Sequence, residues 1–496
     1  MAPAASRWRD SNVLFVLAAL FVPPLAIPLL LLRPEKGSTK VLGCVVLLLM
    51  TGVYARTATR IQWPQPSGPP EAHWDALEAH RRAQAKRARG GEDVRAAAAP
   101  ASTGRYWTSF RGPGAAGRYD EMPVVDDWPS AGLPLLWKQP IGQGWSSFAV
   151  ADGVAYTLER RRAQEVVAAY DVASGRELWS ESWKSSFSES ADRDGPRATP
   201  VWDEGRVYAL GAAGDLVALE AASGRRLWRR DILRENDAAN IQWGVAASPV
   251  VIGDVVVTMP GGPEGRAVVA YDKLTGEPRW SALSDAVAYT TPMLLTLAGR
   301  EQLLVVTATR AVGLDPLDGG LLWEHPWATD MGVNAAQPIV VGTDRFILSA
   351  GYGHGAALVE VAAAGDAFTT RAVWETNRMK NKLSSSVYHD GHLYGLDEGI
   401  LACIDVATGD LRWKGGRYGH GQLLLVQGAL VVLTEDGELA LVEAVPEAFV
   451  ERARFAALDG QTWNNPAISS GILLVRNSRE MAAYRIGAAG AAGASA

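Results

Sequence analysis

The hydrophobic pattern divides the chain into three stretches. Val13 to Leu32 (VLFVLAALFVPPLAIPLLLL) is twenty residues without a charge. At 1.5 Å per residue it reaches about 30 Å, the thickness of a bilayer core, so it predicts a membrane span. Pro23, Pro24 and Pro28 kink it, which a membrane helix tolerates. A second run, Val41 to Ala55 (VLGCVVLLLMTGVYA), is shorter and spans only if the helix continues to about residue 58 or the bilayer thins. The first run is long for a signal sequence and lacks a small-x-small cleavage site before Arg33. A transmembrane hairpin (13–32 and 41–58) within residues 1–60 is therefore the expectation. A single anchor and a cleaved signal are the alternatives. Arg33, Lys36 and Lys40 between the runs balance Arg7, Arg9, Arg56 and Arg60 outside them, so charge does not orient the hairpin.

Residues 61–104 read as a Pro/Ala-rich basic linker. Gln62 to Pro70 is stiff and Pro-rich. Glu71 to Arg89 has good helix formers with its basic end last, in keeping with the helix dipole. Two readings are open for this helix. It is a solvated linker, or Arg81, Arg82, Lys86, Arg87 and Arg89 meet anionic lipid headgroups.

From residue 105 the pattern changes to short β-prone runs punctuated by glycine turns. One segment repeats. Ala169 to Trp179 (AYDVASGRELW) returns as Ala218 to Trp228, Ala270 to Trp280, Gly313 to Trp323 and Cys403 to Trp413. Val359 to Trp374 carries a five-residue insertion, and Leu441 to Phe455 ends in Phe. Trp137 is a terminal aromatic with no repeat before it. From Trp137 to Phe455 there are seven intervals over 318 residues, about 45 each, the length of one four-stranded propeller blade. In each repeat the Asp bonds nearby amides and the Gly takes positive φ, closing a tight turn. The Trp then lies flat between neighbouring blades. The last unit, Asn464 to Ile486, has no aromatic of its own, so the strand around Trp137 must supply it. The expectation is an all-β, eight-bladed β-propeller over residues 105–487, closed by an N-terminal strand. Residues 488–496 are expected to be a disordered tail.

Composition narrows the function classes. Residues 1–104 hold 13 Lys/Arg against 7 Asp/Glu, and the remainder holds 35 against 47. A basic leader thus precedes an acidic body, and the net charge of −6 argues against nucleic acid as a partner. Cys44 and Cys403, the two cysteines, rule out a disulfide scaffold and a four-Cys metal site. Cys403 replaces the repeat's Ala and reads as a small buried hydrophobe. His389 and His392 (HDGH) straddle a turn.

The repeat A-x-D-x-x-[ST]-G-x-x-x-W resembles those of pyrroloquinoline-quinone (PQQ) dehydrogenases and of the BamB-type assembly lipoprotein, and more closely membrane-anchored PQQ-binding-like β-propeller repeat proteins. Phe110-Arg-Gly-Pro113, Gly195 to Pro200, Leu322 to Trp327, Lys414 to Gln422 and Leu458 to Asn464 carry the resemblance. It implies the propeller fold, an extracytoplasmic (periplasmic) location and, for the dehydrogenases, PQQ with Ca²⁺ beside adjacent cysteines. This chain has no adjacent cysteines and no C-x-x-C-H haem motif.

The loops leading into each innermost strand converge by pseudo-symmetry on one channel face. They carry Trp145, Trp243, Tyr289 and Trp463 together with Arg197, Lys380, Lys382, Arg417, His420 and Asn464. Aromatic faces ringed by cations suit an anionic planar ligand or an acidic peptide. Alternatively these residues pack blade ends and the cations are a solvated rim. No catalytic set stands out. The reading is a membrane-tethered, non-catalytic propeller that binds an envelope protein or peptide, with no cofactor or metal. A PQQ-dependent oxidoreductase and a small-ligand-binding propeller are the alternatives.

Overall fold

The computed structural model describes Cys44, Val46 and residues 71–89, 105–185, 187, 195–329, 331–365 and 367–487. The two expected spans, apart from Cys44 and Val46, and the 488–496 tail lie outside the described residues. Among the described residues no helix is long and apolar enough to cross a membrane. Contacts separate a unit Met1–Ser67 from a unit Gly68–Ala496, and the second unit holds the propeller.

Eight sheets of four-strand blade pattern follow one another along the chain. Blade 1 consists of Ala149–Ala151, Val154–Arg161, Gln164–Asp171 and Glu177–Lys184. Blades 2 to 7 occupy 201–231, 250–282, 293–326, 339–376, 387–417 and 422–456. Blade 8 has three strands of its own within 467–485. Its fourth, outermost strand is Leu135–Pro140, paired antiparallel with Glu480–Arg485 so that Trp137 faces Ala483. The ring is therefore closed by the N-terminal strand. Radial closure leaves only short strand edges, at the axis and at the rim.

The repeat residues hold successive blades together in a way the spacing alone does not disclose. The turn glycines Gly175, Gly224, Gly276, Gly319 and Gly409 all have φ between 71° and 79°. Each carries the indole of the preceding blade on its bare Cα. A methyl group at Gly224 would sit 2.5 Å from Trp179, and one at Gly175 would sit 2.7 Å from Trp137. Four of these indoles, those of Trp137, Trp179, Trp228 and Trp374, also donate Nε1–H to the carbonyl that follows the repeat's acidic residue, whereas that of Trp280 makes no such bond. Trp137 reaches Val172 O at 2.9 Å, Trp179 reaches Ala221 O at 2.9 Å, and Trp374 reaches Val406 O at 2.8 Å. Trp137 thus seals blade 8 to blade 1 as the other indoles seal their joints. The acidic residue organises the turn. Asp272 Oδ1 accepts from Leu274 and Thr275 N–H at 2.9 Å, and Asp171 Oδ1 accepts from Ser174 N–H at 2.8 Å.

Trp323 departs from this pattern. The insertion in blade 5 replaces the turn glycine that would seat it with two ten-residue strands, Gly355–Ala364 and Ala367–Thr376. Trp323 instead donates to Gln302 in its own blade and stacks on Phe346, with ring centroids 5.6 Å apart. The long outer strand compensates at this joint, where Thr370 Oγ1 donates to Glu324 O at 2.8 Å. Phe455 closes blade 7 against Gly132 and Tyr484.

Two N-terminal elements complete the unit. Helix α1 (Glu71–Arg89) is not a solvated linker. Trp74 and Leu77 are buried, Arg81 Nη2 pairs with Glu177 at 2.8 Å, and Arg162 pairs with Glu71 and Glu78. Arg81 is therefore committed to the propeller, while Arg82, Lys86 and Arg87 stay exposed. Residues 105–119 form a plug. Val150, Trp202 and Leu425, on the innermost strands of blades 1, 2 and 7, donate their N–H groups to Trp107 O, Thr108 O and Gly117 O at 2.7, 2.8 and 2.8 Å. Arg118–Tyr119 adds a parallel fifth strand to blade 7. Arg111 is fully buried and donates to Ser386 O at 2.9 Å and Asn465 Oδ1 at 3.3 Å. Burial without a carboxylate lowers its pKa to about 10. The plug bonds to inner strands near their turns, so it covers part of the channel end opposite the lead-in loops.

Trp179→Ala should cost about 3–5 kcal/mol. Gly224→Ala should also destabilise, because it meets the indole at positive φ. If they form one joint, the penalty of Gly224→Ala shrinks clearly in the Trp179→Ala background. Urea unfolding of the four proteins measures this, and additive penalties refute the joint.

Candidate functional site

The candidate residues lie on the face where the lead-in loops meet, the upper face of the propeller. A belt of side-chain to backbone bonds runs around the channel beneath them. Ser147 N–H donates to Thr199 Oγ1 (3.1 Å), Thr199 N–H to Ser248 Oγ (2.9 Å), and Ser248 N–H to Thr291 Oγ1 (2.9 Å). Thr291 N–H donates to Gln337 Oε1 (3.1 Å), and Gln337 N–H to Ser385 Oγ (2.9 Å). Blade geometry explains the belt. Each innermost strand begins at the axis, where its first amide has no strand partner and would be costly to bury bare. A short polar side chain from the next blade satisfies it. Gln422 continues the belt, its Nε2 donating to Leu383 O (3.0 Å) and Trp463 O (2.9 Å). Ser147 Oγ returns to Asn465 O at 2.6 Å.

Asn464 belongs to this belt and not to an open ligand surface. It is fully buried, and its Nδ2 donates to Gly144 O and Ser146 O at 3.1 and 2.8 Å. The aromatic candidates form two pairs. Trp145 and Trp463 have ring centroids 4.9 Å apart, and Trp243 and Tyr289 have them 5.3 Å apart. Trp463 Nε1 donates to Glu435 Oε1 at 2.8 Å, and the backbone N–H of His420 donates to Glu435 Oε2 at 2.9 Å. Burial alone would raise the Glu435 pKa, but the bonds from His420 N–H, Trp463 and Gln461 outweigh it and hold the carboxyl below its usual range. Burial lowers the His420 pKa, with Lys382 adding to the effect and Glu435 opposing it. Trp145, Trp463, Glu435 and His420 thus form one cluster across blades 7, 8 and 1.

The cations are more dispersed. Lys382 lies over the Tyr352 ring at 5.2 Å. Lys380 Nζ is 3.9 Å from Glu398. Arg197 Nη1 donates to Gly195 O at 3.3 Å, and Arg417 is exposed at the end of blade 6.

The arrangement does not fit a quinone sandwich. A planar guest between two rings needs about 7 Å, twice the contact distance of carbon atoms, whereas both aromatic pairs are already in mutual contact. Among the described residues no group of three or more His, Cys, Asp or Glu is placed to hold a metal. His389 and His392 pair directly across a two-residue turn. Cys403 is fully buried, and burial pushes its thiol up to about 12.

Two carboxylates carry no signal in the sequence. Glu435 sits in a blade 7 turn whose sequence, TEDG, signals only a turn. Glu165 lies between blades 1 and 2, almost fully buried, accepting from Ala212 N–H at 3.0 Å and Trp183 Nε1 at 3.2 Å. Burial outweighs those bonds and raises it to about 7. An acidic residue in a β-strand pattern gives no hint of which blade will cover it.

The repeat and its ring of blades recur in known proteins. A family model described as outer membrane protein assembly factor BamB matches residues 163–415. The outer membrane protein assembly factor BamB of Burkholderia pseudomallei is 25% identical over 362 residues, covering 64% of this chain and 89% of the relative. A 1-butanol dehydrogenase (cytochrome c) of Thauera butanivorans is 28% identical over 184 residues, covering 34% of this chain and 25% of the relative. Among solved structures, BamB from Moraxella catarrhalis superposes with a TM-score of 0.54 at 16% identity, over 71% of this chain and all of the other. Quinohemoprotein alcohol dehydrogenase ADHIIG from Pseudomonas putida HK5 superposes with a TM-score of 0.52 at 14% identity, over 79% and 83%. Both superpositions concern the fold alone.

Glu165 generates a pH dependence. Its folded pKa is raised above the unfolded value, so its contribution is fully present below about pH 4.5 and is lost as pH rises through 7. Between pH 5 and 8 the loss is on the order of 3 kcal/mol. Glu165→Gln should flatten this slope in urea unfolding at the two pH values. An unchanged slope refutes the assignment.

Proposed function

We propose that this chain, which belongs to the PQQ-like repeat family described as outer membrane protein assembly factor BamB, is a non-catalytic binding module of the cell envelope, tethered to a membrane by its N-terminal hydrophobic runs. One observation carries the reading. The match to a BamB relative spans 89% of that protein, whereas the match to a dehydrogenase relative spans 25% of it. The sequence shared with the dehydrogenase is a quarter of that protein, and the wider superposition on a dehydrogenase structure is a likeness of fold, which does not carry the chemistry with it.

The upper face supplies the means. Trp463, partly exposed and held by Glu435, lies against the buried Trp145 and forms a pre-arranged aromatic anchor. Such rigid aromatics are frequent energetic centres of protein interfaces, because they add contact area with little further loss of conformational freedom. His420 shares Glu435 with this anchor and feels the charge of Lys382, and these basic groups favour an acidic segment. The length and apolarity of the two hydrophobic runs support a membrane tether, and the BamB relatives favour the periplasmic side.

The quinoprotein alternative finds less support in these residues. The aromatic pairs leave no slot for a planar ring, and the two cysteines lie far apart in sequence.

Affinity capture from solubilised membranes should retain a partner with the full chain and lose it at least tenfold with Trp463→Ala, a hot-spot penalty of about 1.4 kcal/mol or more. Retention of no stable partner, or equal retention by the variant, overturns the assignment of the upper face. Protease added to intact spheroplasts should cleave the propeller, and full protection refutes the periplasmic placement. Calorimetric titration with PQQ and Ca²⁺ should give no binding heat, and saturable heat would restore the oxidoreductase reading.

A further inference from the structure

The plug fills only part of the lower channel mouth. It bonds to the innermost strands of blades 1, 2 and 7 at the same place in each, one residue pair before the turn. There Val150, Trp202 and Leu425 face Ala155, Val207 and Leu430 across the inner hairpin and give their N–H groups to plug carbonyls. In blades 5 and 6 the same register is occupied by Val340, opposite Phe346, and Tyr388, opposite Leu393. Antiparallel pairing alternates bonded and non-bonded pairs, so these two N–H groups also point toward the axis. No described part of the plug bonds to them. They border a cavity of about 310 Å³ between the plug and blades 4 to 7. Leu294, Leu295, Ile339 and Val387 supply its apolar wall, and Gly114 and Ala116 of the plug form the opposite side. Arg118 stands at its edge, already paired with Asp120.

We propose that this open half of the mouth takes an extended apolar peptide segment of a partner protein, paired main chain to main chain with the inner strands of blades 5 and 6. The mode is already realised next to it. The plug occupies the contiguous half through carbonyls of Trp107, Thr108 and Gly117, so the inner strands accept extended chain at their axial edges, and the new segment continues an existing interface. Main-chain bonds supply affinity in strand addition, and the wall residues set the side-chain preference. Here the wall admits small or medium aliphatic groups and offers an incoming carboxylate no free cation. The inference rests on the protein-binding reading but concerns the opposite end of the channel from Trp145 and Trp463.

Because main-chain pairing is tolerant of sequence, a generic probe tests it. The full chain is incubated with millimolar acetyl-Val-Ala-Val-Ala-amide, and residue-resolved amide exchange is followed. Exchange at Val340 and Tyr388 should slow about tenfold or more. Ala116→Phe, a change at an exposed plug position, should fill the cavity and abolish the slowing. Unchanged exchange at Val150 and Trp202 in that variant certifies that the plug is intact. If the plug amides exchange faster, Leu294→Phe serves as the second filling variant. Unaltered exchange at Val340 and Tyr388 overturns the proposal. So does equal slowing by acetyl-Asp-Ala-Asp-Ala-amide, or slowing that survives both filled cavities. Trp463→Ala should leave the peptide effect intact, so failure of the upper-face reading and failure of this one are separable.

Discussion

An indole lying on a bare glycine is the contact on which the propeller depends. Twisted sheets arranged around an axis leave a wedge between neighbours, wide at the rim and narrow at the centre. A flat, rigid side chain fills that wedge only if the opposing surface is also flat. Positive φ provides a compact turn, and the absence of Cβ lets the ring approach the backbone. The indole N–H then bonds the carbonyl beside it, which fixes the ring's rotation as well as its depth. Trp and Gly are therefore one functional unit divided between two blades, and five of the eight joints carry one.

Three joints lack this pair and obey the same constraint by other means: between blades 6 and 7 Trp413 keeps its bond to Val445 O at 2.8 Å but packs on Phe449 in place of a glycine. Where blade 5 lacks the glycine, Trp323 turns to Gln302 and Phe346, and a longer hairpin covers the gap with bonds such as Thr370 to Glu324. Where blade 7 ends in Phe455, the ring packs on Gly132 from the crossing segment and no indole bond is made. The joint between blades 8 and 1 is regular although its members lie on opposite sides of the chain's path: Trp137 arrives with the N-terminal strand, and Gly175 belongs to the first complete repeat.

Closing a ring also creates an axis that must be filled or capped. On the upper side the polar belt from Ser147 through Gln422 satisfies strand-start amides that no neighbouring strand can reach. On the lower side the N-terminal plug accepts from inner-strand amides near the turns of blades 1, 2 and 7, with Arg111 spanning from blade 6 to blade 8 through neutral acceptors. The upper aromatic cluster is held by Glu435 and is thereby oriented before any partner arrives.

The architecture was legible in the chain because repetition is a one-dimensional signal. Regular Trp spacing, the Asp-to-Gly turn and the unpartnered Trp137 state the blade count and the manner of closure, since each feature is local and recurs. The helix at Glu71–Arg89 was legible for the same reason. What the helix touches was not, because Trp74 and Leu77 are buried, Arg81 bonds Glu177 on blade 1, 96 residues away, and His80 meets Gln139 on the closing strand of blade 8, 59 residues away. The lead-in loops could be assigned to one face from strand alternation alone, yet the fate of each side chain there was decided in three dimensions. Asn464 entered the belt, Trp463 met Glu435, and Lys382 settled over Tyr352. Phe110-Arg-Gly-Pro113 stood out in the sequence without disclosing that Arg111 would be buried in the channel. Local periodicity determines which elements form and how they succeed one another. Burial, the identity of distant partners and the filling of the axis depend on contacts between residues far apart in sequence, and only the closed ring brings those together.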